Sequence, residues 1–232
     1  MQVLNDLYDY GLKIYQDEEN FKFSLDTILL AESVELKKND KVLDFCTGGA
    51  PVPLILSTKY NNKIIGVEIQ EKVYNLAKDS IIYNKLDNQI DIINDNLVNI
   101  RNYFPGNNFD VITCNPPYFK YSNTSLINEN ETKAISRHEI KASLKEIVET
   151  AAYMLKDNGS FYIVHRVERL QELSNELSTN NLFIKNLYFI KTNETSNLNM
   201  VIIKAVKNAK YGIKSKIIEI FKKESYKNIF FE

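Results

Sequence analysis

Lys41-Val42-Leu43-Asp44-Phe45-Cys46-Thr47-Gly48-Gly49-Ala50-Pro51 is the stretch that decides the fold. Its first half is a short apolar strand. Its second half is a turn of small residues, with Pro51 placed for the first turn of a helix over 52–59, where a missing N–H costs nothing. Strand, glycine turn and helix together open a strand-helix-strand unit. Downstream, Ile64-Ile65-Gly66-Val67-Glu68 is a second strand closing on an acid, a helix covers 73–84, and Ile90-Asp91-Ile92-Ile93 leads directly into Asn94-Asp95-Asn96. Phe109-Asp110-Val111-Ile112-Thr113-Cys114 is a fourth strand, and Asn115-Pro116-Pro117-Tyr118 must stop it, because proline cannot donate to a sheet ladder. A polar stretch over 119–141 is too long for a routine connection and reads as a functional or mobile loop. An amphipathic helix over 144–155 is stopped by Lys156-Asp157-Asn158-Gly159, and Phe161-Tyr162-Ile163-Val164 is a fifth strand. A helix over 168–177 and a strand pair over 182–190 and 198–206 follow. Upstream, residues 1–20 read as an extended or weakly helical lead-in. Phe21-Lys22-Phe23-Ser24-Leu25-Asp26 is a short extended segment before a helix over 27–34 that Ser24 or Asp26 can cap. The pattern predicts an α/β fold with a mostly parallel seven-stranded sheet, a closing antiparallel hairpin and helices on both faces. One domain over 1–232 is expected, with 1–35 as lead-in and helix and 207–232 as a basic extension.

Composition bounds the function. The chain has 232 residues, 25% of them charged, and a formal net charge of −1, so a nucleic-acid partner would have to be held by a local patch. Cys46 and Cys114 have no CxxC spacing and read as small thiols at strand ends, not as a disulfide framework or zinc site, and no metal is expected. The N-terminus lacks a basic region before an apolar core, and no apolar run approaches about 18 residues, so a cytoplasmic location without membrane contact is expected.

In an open parallel sheet the ligand sits beyond the carboxyl ends of the strands. Those ends carry Asp44 with its small-residue turn, then Glu68, then Asp95, then residues 115–118. Each has a plainer reading: Asp44 as a helix cap, Glu68 as a surface charge, Asp95 as a turn former. In succession they favour an adenosine-containing ligand, with a glycine turn for close backbone approach and an acid at the second strand end for ribose hydroxyls. Asn115 and Tyr118, held on a proline-stiffened turn, suit a planar group that carries an amine.

This series resembles a class I S-adenosylmethionine-dependent methyltransferase of Rossmann-like fold. Phe21-Lys22-Phe23-Ser24-Leu25-Asp26, Gly66-Val67-Glu68-Ile69-Gln70, Asn115-Pro116-Pro117-Tyr118-Phe119-Lys120 and Ser136-Arg137-His138-Glu139 are similar to segments of the bacterial tRNA1(Val) (adenine-37-N6)-methyltransferase family. The resemblance implies S-adenosyl-L-methionine as cofactor and the anticodon loop of tRNA as partner; a monomer is compatible with the sequence, which does not fix the oligomeric state. It implies that Asn115 and Pro116 accept hydrogen bonds from the adenine amine while Tyr118 stacks on the base. Asp44, Thr47 and Gly48 would line the cofactor, Glu68 would hold its ribose, Ile69 would pack on its adenine and Asp95 would meet the adenine amine. Phe23, Ser24 and Asp26 would border the methionine end; Phe119, Lys120, Arg137 and His138 would contact RNA. The family's first motif usually has glycines where this chain has Cys46 and Ala50, which puts the strength of cofactor binding in question. His165 follows a buried strand and reads as structural or as a surface cap. Lysines 204, 207, 210, 214, 216, 222, 223 and 227 offer a further RNA-docking patch. The rival readings are a glutamine N5-methyltransferase acting on a protein release factor, and a non-catalytic RNA-binding protein on a methyltransferase fold.

Overall fold

The computed structural model describes residues 2–17, 23–116, 118 and 142–231. In chain order the elements are β1 (Gln2–Asp6), β2 (Lys13–Asp17), α1 (Leu25–Ser33), β3 (Val42–Phe45), α2 (Pro51–Ser57), β4 (Ile64–Glu68), α3 (Glu71–Tyr83), β5 (Ile90–Asn94), β6 (Phe109–Cys114), α4 (Leu144–Met154), β7 (Leu155–Arg166), α5 (Leu170–Thr179), β8 (Leu182–Lys191), β9 (Met200–Lys207) and β10 (Lys214–Glu219). Eight strands form one sheet in the order β10-β8-β9-β7-β6-β3-β4-β5, and only β9 runs antiparallel to its neighbours. Chain order grows outward from β3 through β4 to β5, then returns to the other side of β3 with β6. That reversal is the topological switch point, where the carboxyl ends of neighbouring strands part to leave a crevice.

Each strand expected from an apolar run is present. The sheet nevertheless has eight strands where seven were expected, because the C-terminal extension supplies β10. Its sequence, Lys-Ser-Lys-Ile-Ile-Glu, hides a strand in charged residues: the lysines face solvent at the sheet edge while Ile218 is buried. Ile220, Ile229 and Phe230 then pack into the core, so the extension is a basic surface over an apolar interior. The lead-in is extended and not helical: β1 and β2 form an antiparallel hairpin. Its backbone is bonded to α3, with Tyr15 N donating to Ser80 Oγ at 2.9 Å and Lys13 N to Asn84 Oδ1 at 3.0 Å.

The two faces of the sheet carry separate apolar layers. Helices α1, α2 and α3 with the hairpin cover one; α4 and α5 cover the other. The first layer is pinned by Glu32, which is fully buried and accepts from Tyr10 Oη (2.7 Å), Lys59 Nζ (2.5 Å) and Asn228 N (2.8 Å). One carboxylate thereby joins the residues after β1, α1, the end of α2 and the C-terminal turn. On the second layer, α4 starts with a capping box: Ser143 Oγ accepts from Glu146 N while Glu146 Oε2 accepts from Ser143 N.

Candidate active site at the carboxyl edge of the sheet

The turn after β3 is tightened by three residues in the left-handed region, Cys46 (φ 53°), Gly48 (φ 57°) and Ala50 (φ 67°). Cys46 and Ala50 stand where the resembling family has glycine, and they keep the glycine conformation at a cost of about 1–2 kcal/mol each. Asp44 is buried inside this turn, its oxygens accepting from Thr47 Oγ1 and Thr113 Oγ1, both at 2.6 Å. Burial pushes its carboxyl up to about 7 against the two hydroxyl donors, and the negative Glu68 adds to the rise. Gly66 lets β4 approach: a Cβ there would stand 2.6 Å from Ile92 Cδ1 and 2.7 Å from Thr47 Oγ1.

Glu68 closes β4 and reaches back to the turn, accepting from Gly48 N (3.0 Å) and Gln70 N (2.8 Å). Burial raises its pKa while those backbone donors oppose the rise. The Ile69 N–H is a third backbone donor to this carboxylate, which leaves it part of its acceptor capacity. Ile69, half-buried, follows it. Asp95, after β5, accepts from Asn96 N (2.6 Å), Asn99 Nδ2 (2.7 Å) and Tyr103 Oη (3.0 Å). The Asn99 amide is the main reason that its carboxyl lies below the usual range. Phe23 lines a narrow cavity with Gln16, Asp17 and Gly49. Ser24 sits at the N-cap position of α1, but its hydroxyl donates to Asp26 Oδ2 (3.3 Å) instead of capping the helix.

β6 pairs with β3 so that Asp44 lies opposite Thr113 and Phe45 opposite Cys114. The two motifs are thus neighbours across one ladder, and burial, followed by the nearby Cys46 thiol, raises the pKa of Cys114. Asn115 follows at the strand's end, where its Nδ2 donates to Thr27 Oγ1 (2.8 Å) and its Oδ1 accepts from Tyr118 Oη (2.6 Å). Tyr118 Oη also lies 3.1 Å from Asp26 Oδ2. Burial raises the pKa of Asp26, and burial and the Asp26 charge raise that of Tyr118. Pro116 is buried. His165, at the carboxyl end of β7, is fully buried with its ring 5.6 Å from that of Tyr118, so it is no surface cap. Its Nδ1 accepts from Arg166 N (2.8 Å), its Nε2 is without a partner among the described residues, and burial depresses its pKa to about 4.

The structure therefore gathers Asp44, Thr47, Gly48 and Glu68 at one side of the switch point and Asn115, Pro116, Tyr118 and Asp26 at the other. Pro117, Phe119, Lys120, Arg137 and His138 lie outside the described residues. Thr27, Thr113 and His165 are additional members of this edge. Thr113 sits on β6, opposite Asp44 in the register; Thr27 and His165 carry no motif of their own.

Comparison with known proteins agrees with this geometry. The methyltransferase small domain family matches residues 22–193. A tRNA1(Val) (adenine(37)-N6)-methyltransferase of Bacteroides fragilis is 25% identical over 173 residues, 73% of this chain and 70% of that protein. The same-named protein of Cytophaga hutchinsonii is 25% identical over 154 residues, 65% of this chain and 62% of that one. Among solved structures, Pyrococcus horikoshii TYW2 in complex with MeSAdo superposes with a TM-score of 0.63 at 15% identity, covering 90% of this chain and 72% of that one. A predicted O-methyltransferase, protein Atu636 from Agrobacterium tumefaciens, gives a TM-score of 0.66 at 12% identity, covering 83% and 86%. With the switch-point turn, the strand-end acids and the edge of Asn115, Pro116 and Tyr118 in place, and with the family match spanning well over half of its length, the chain belongs to the methyltransferase small domain family.

Proposed function

We propose that this chain is an S-adenosylmethionine-dependent methyltransferase acting on N6 of adenine in tRNA, at position 37 beside the anticodon of a tRNA(Val). The observation that carries the reading is the Asn115 amide, held at the carboxyl edge of β6 one ladder away from the Asp44 turn. The donor set fits the cofactor. Glu68 keeps acceptor capacity for a ribose hydroxyl, Asp95 can accept from an adenine amine, and the turn over 46–50 brings backbone close to a ligand. When bound, S-adenosylmethionine supplies a methyl group already activated on a sulfonium.

The chain's own work is then orientation. An exocyclic adenine amine is a poor nucleophile because its lone pair is delocalised into the ring. Hydrogen bonds from that amine to Asn115 Oδ1 and the Pro116 carbonyl favour a pyramidal nitrogen and aim its lone pair. His165 meets Tyr118 in a tilted ring contact, and a base stacked on Tyr118 would gain about 1–3 kcal/mol. The target must leave its stack to reach this edge, which is easiest in a single-stranded loop. The names of the relatives support adenine-37 of tRNA as the acceptor. Several lysines of β9 and the basic extension are engaged within the fold. Lys204 is paired with Glu35, Lys222 with Glu219 and Lys227 with Asp9, while Lys207 donates to the Ala152 and Leu155 carbonyls.

The test is incubation with labelled cofactor and, in parallel, unmodified tRNA, release factor and duplex DNA, followed by nucleoside and amino-acid analysis. Label in N6-methyladenosine of tRNA is expected. Label on glutamine instead would replace this reading with the release-factor one, and absence of cofactor binding would replace it with the non-catalytic one.

A further inference from the structure

An asparagine amide presents two chemically opposite ends, and a catalytic one works only if its oxygen faces the amine it must receive. Asn115 is held at both ends of its amide. Thr27, in the first turn of α1, 4% exposed and 88 residues upstream, takes the Nδ2 end at 2.8 Å. Tyr118 takes the Oδ1 end, its hydroxyl lying 2.6 Å from Asn115 Oδ1 and 3.1 Å from Asp26 Oδ2. We propose that Thr27 is a positioning residue, and that the clamp it forms with Tyr118 around the Asn115 amide keeps one lone pair of Oδ1 open toward the acceptor amine.

The proton inventory shows why both sides are needed. Tyr118 Oη has one proton and two acceptors within reach, so it serves Asn115 Oδ1 or Asp26 Oδ2 but not both. Thr27 Oγ1 can accept or donate, so alone it would tolerate the amide in either orientation. The arrangement with Nδ2 on Thr27 and Oδ1 on Tyr118 holds while the phenol proton lies on the shorter contact. Ser24 Oγ, donating to Asp26 Oδ2 at 3.3 Å, occupies part of that carboxylate and lessens its pull on the phenol. Among the described residues no hydrogen bond of Thr27, Asn115 or Tyr118 reaches the Asp44 turn or Glu68, so the clamp bears on the acceptor side.

This inference rests on the proposed methyl transfer, and its test separates the two. In protein labelled with 15N-asparagine, the Asn115 side-chain NH2 signal is assigned by its loss in Asn115→Asp. Thr27→Val, which keeps the shape and removes the hydroxyl, is expected to shift that signal and speed its solvent exchange, and Thr27→Ser to restore both. On whichever substrate the wild type methylates, Thr27→Val should lower kcat roughly 10- to 100-fold with cofactor Kd unchanged, and Thr27→Ser should recover most of the loss. An unmoved amide signal in Thr27→Val overturns the clamp, with or without an active wild type. A moved signal with kcat within about twofold of wild type overturns the positioning role. A wild type that methylates no RNA contradicts the adenine assignment alone, and the amide signal still decides the clamp.

Discussion

Ala50 and Cys46 hold left-handed backbone without glycine, and the energetics of that choice can be checked. At Ala50, glycine would relieve about 1–2 kcal/mol of strain but lose a buried methyl worth about 0.8 kcal/mol and add about 0.5–1 kcal/mol of chain entropy. Ala50→Gly should therefore change stability by less than about 1 kcal/mol, whereas Ala50→Val, β-branched at φ 67°, should cost more than about 2. Urea denaturation midpoints decide between these. Asp44 and His165 give opposite pH signatures. With its carboxyl at about 7, folded Asp44 keeps a proton that the unfolded chain releases near pH 4, so its contribution is full below about 4 and is lost as pH rises through 7. With its imidazole at about 4, His165 contributes fully above about 6.5 and loses that as pH falls through 4. Each is on the order of 3–4 kcal/mol at most. Relative to wild type, Asp44→Asn should become more stable between pH 4.5 and 7, and His165→Gln less stable; curves parallel to wild type would contradict the assignment. Sequence showed Asp44 at a strand end but not its two threonine partners, since Thr113 is 69 positions away and only the β3–β6 register brings it near.

Elements were legible where burial imposes a simple pattern. β3, β4, β5 and β6 are apolar runs because both faces are covered, and their acids and amide fall at the carboxyl ends by the same logic. The edges were harder. β10 alternates lysines with serine and isoleucine at a sheet margin, and β1 and β2 pair only with each other while resting on α3, so neither shows a continuous apolar run. β7 begins earlier than its apolar segment because residues 156–159 bulge out between the pairings of Phe109 with Leu155 and Val111 with Ser160. Likewise α1 was visible by periodicity, but not the use of its first turn, because Thr27 meets Asn115 only across the folded chain.

At the scale of the whole molecule, distant segments are tied into the layer that backs the site. Glu32 is the joint, and its loss strands Lys59 and Tyr10 in a buried setting. Glu32→Ala should cost about 3–5 kcal/mol and free the C-terminal turn, seen as faster amide exchange at Asn228. A loss under about 1 kcal/mol would mean that the turn is held by Ile229, Phe230 and the bonds of Ser225 and Lys227 to Asp9. The central claim is that the carboxyl edge holds two ligands on separate groups, cofactor by the Asp44 turn and Glu68, acceptor by Asn115. It is tested most directly by measuring S-adenosylmethionine affinity and single-turnover methyl transfer side by side in Asn115→Ala. The account predicts transfer slowed by at least about 100-fold with cofactor Kd within about twofold of wild type. Equal loss of both would contradict it, making Asn115 a structural brace of the cofactor turn.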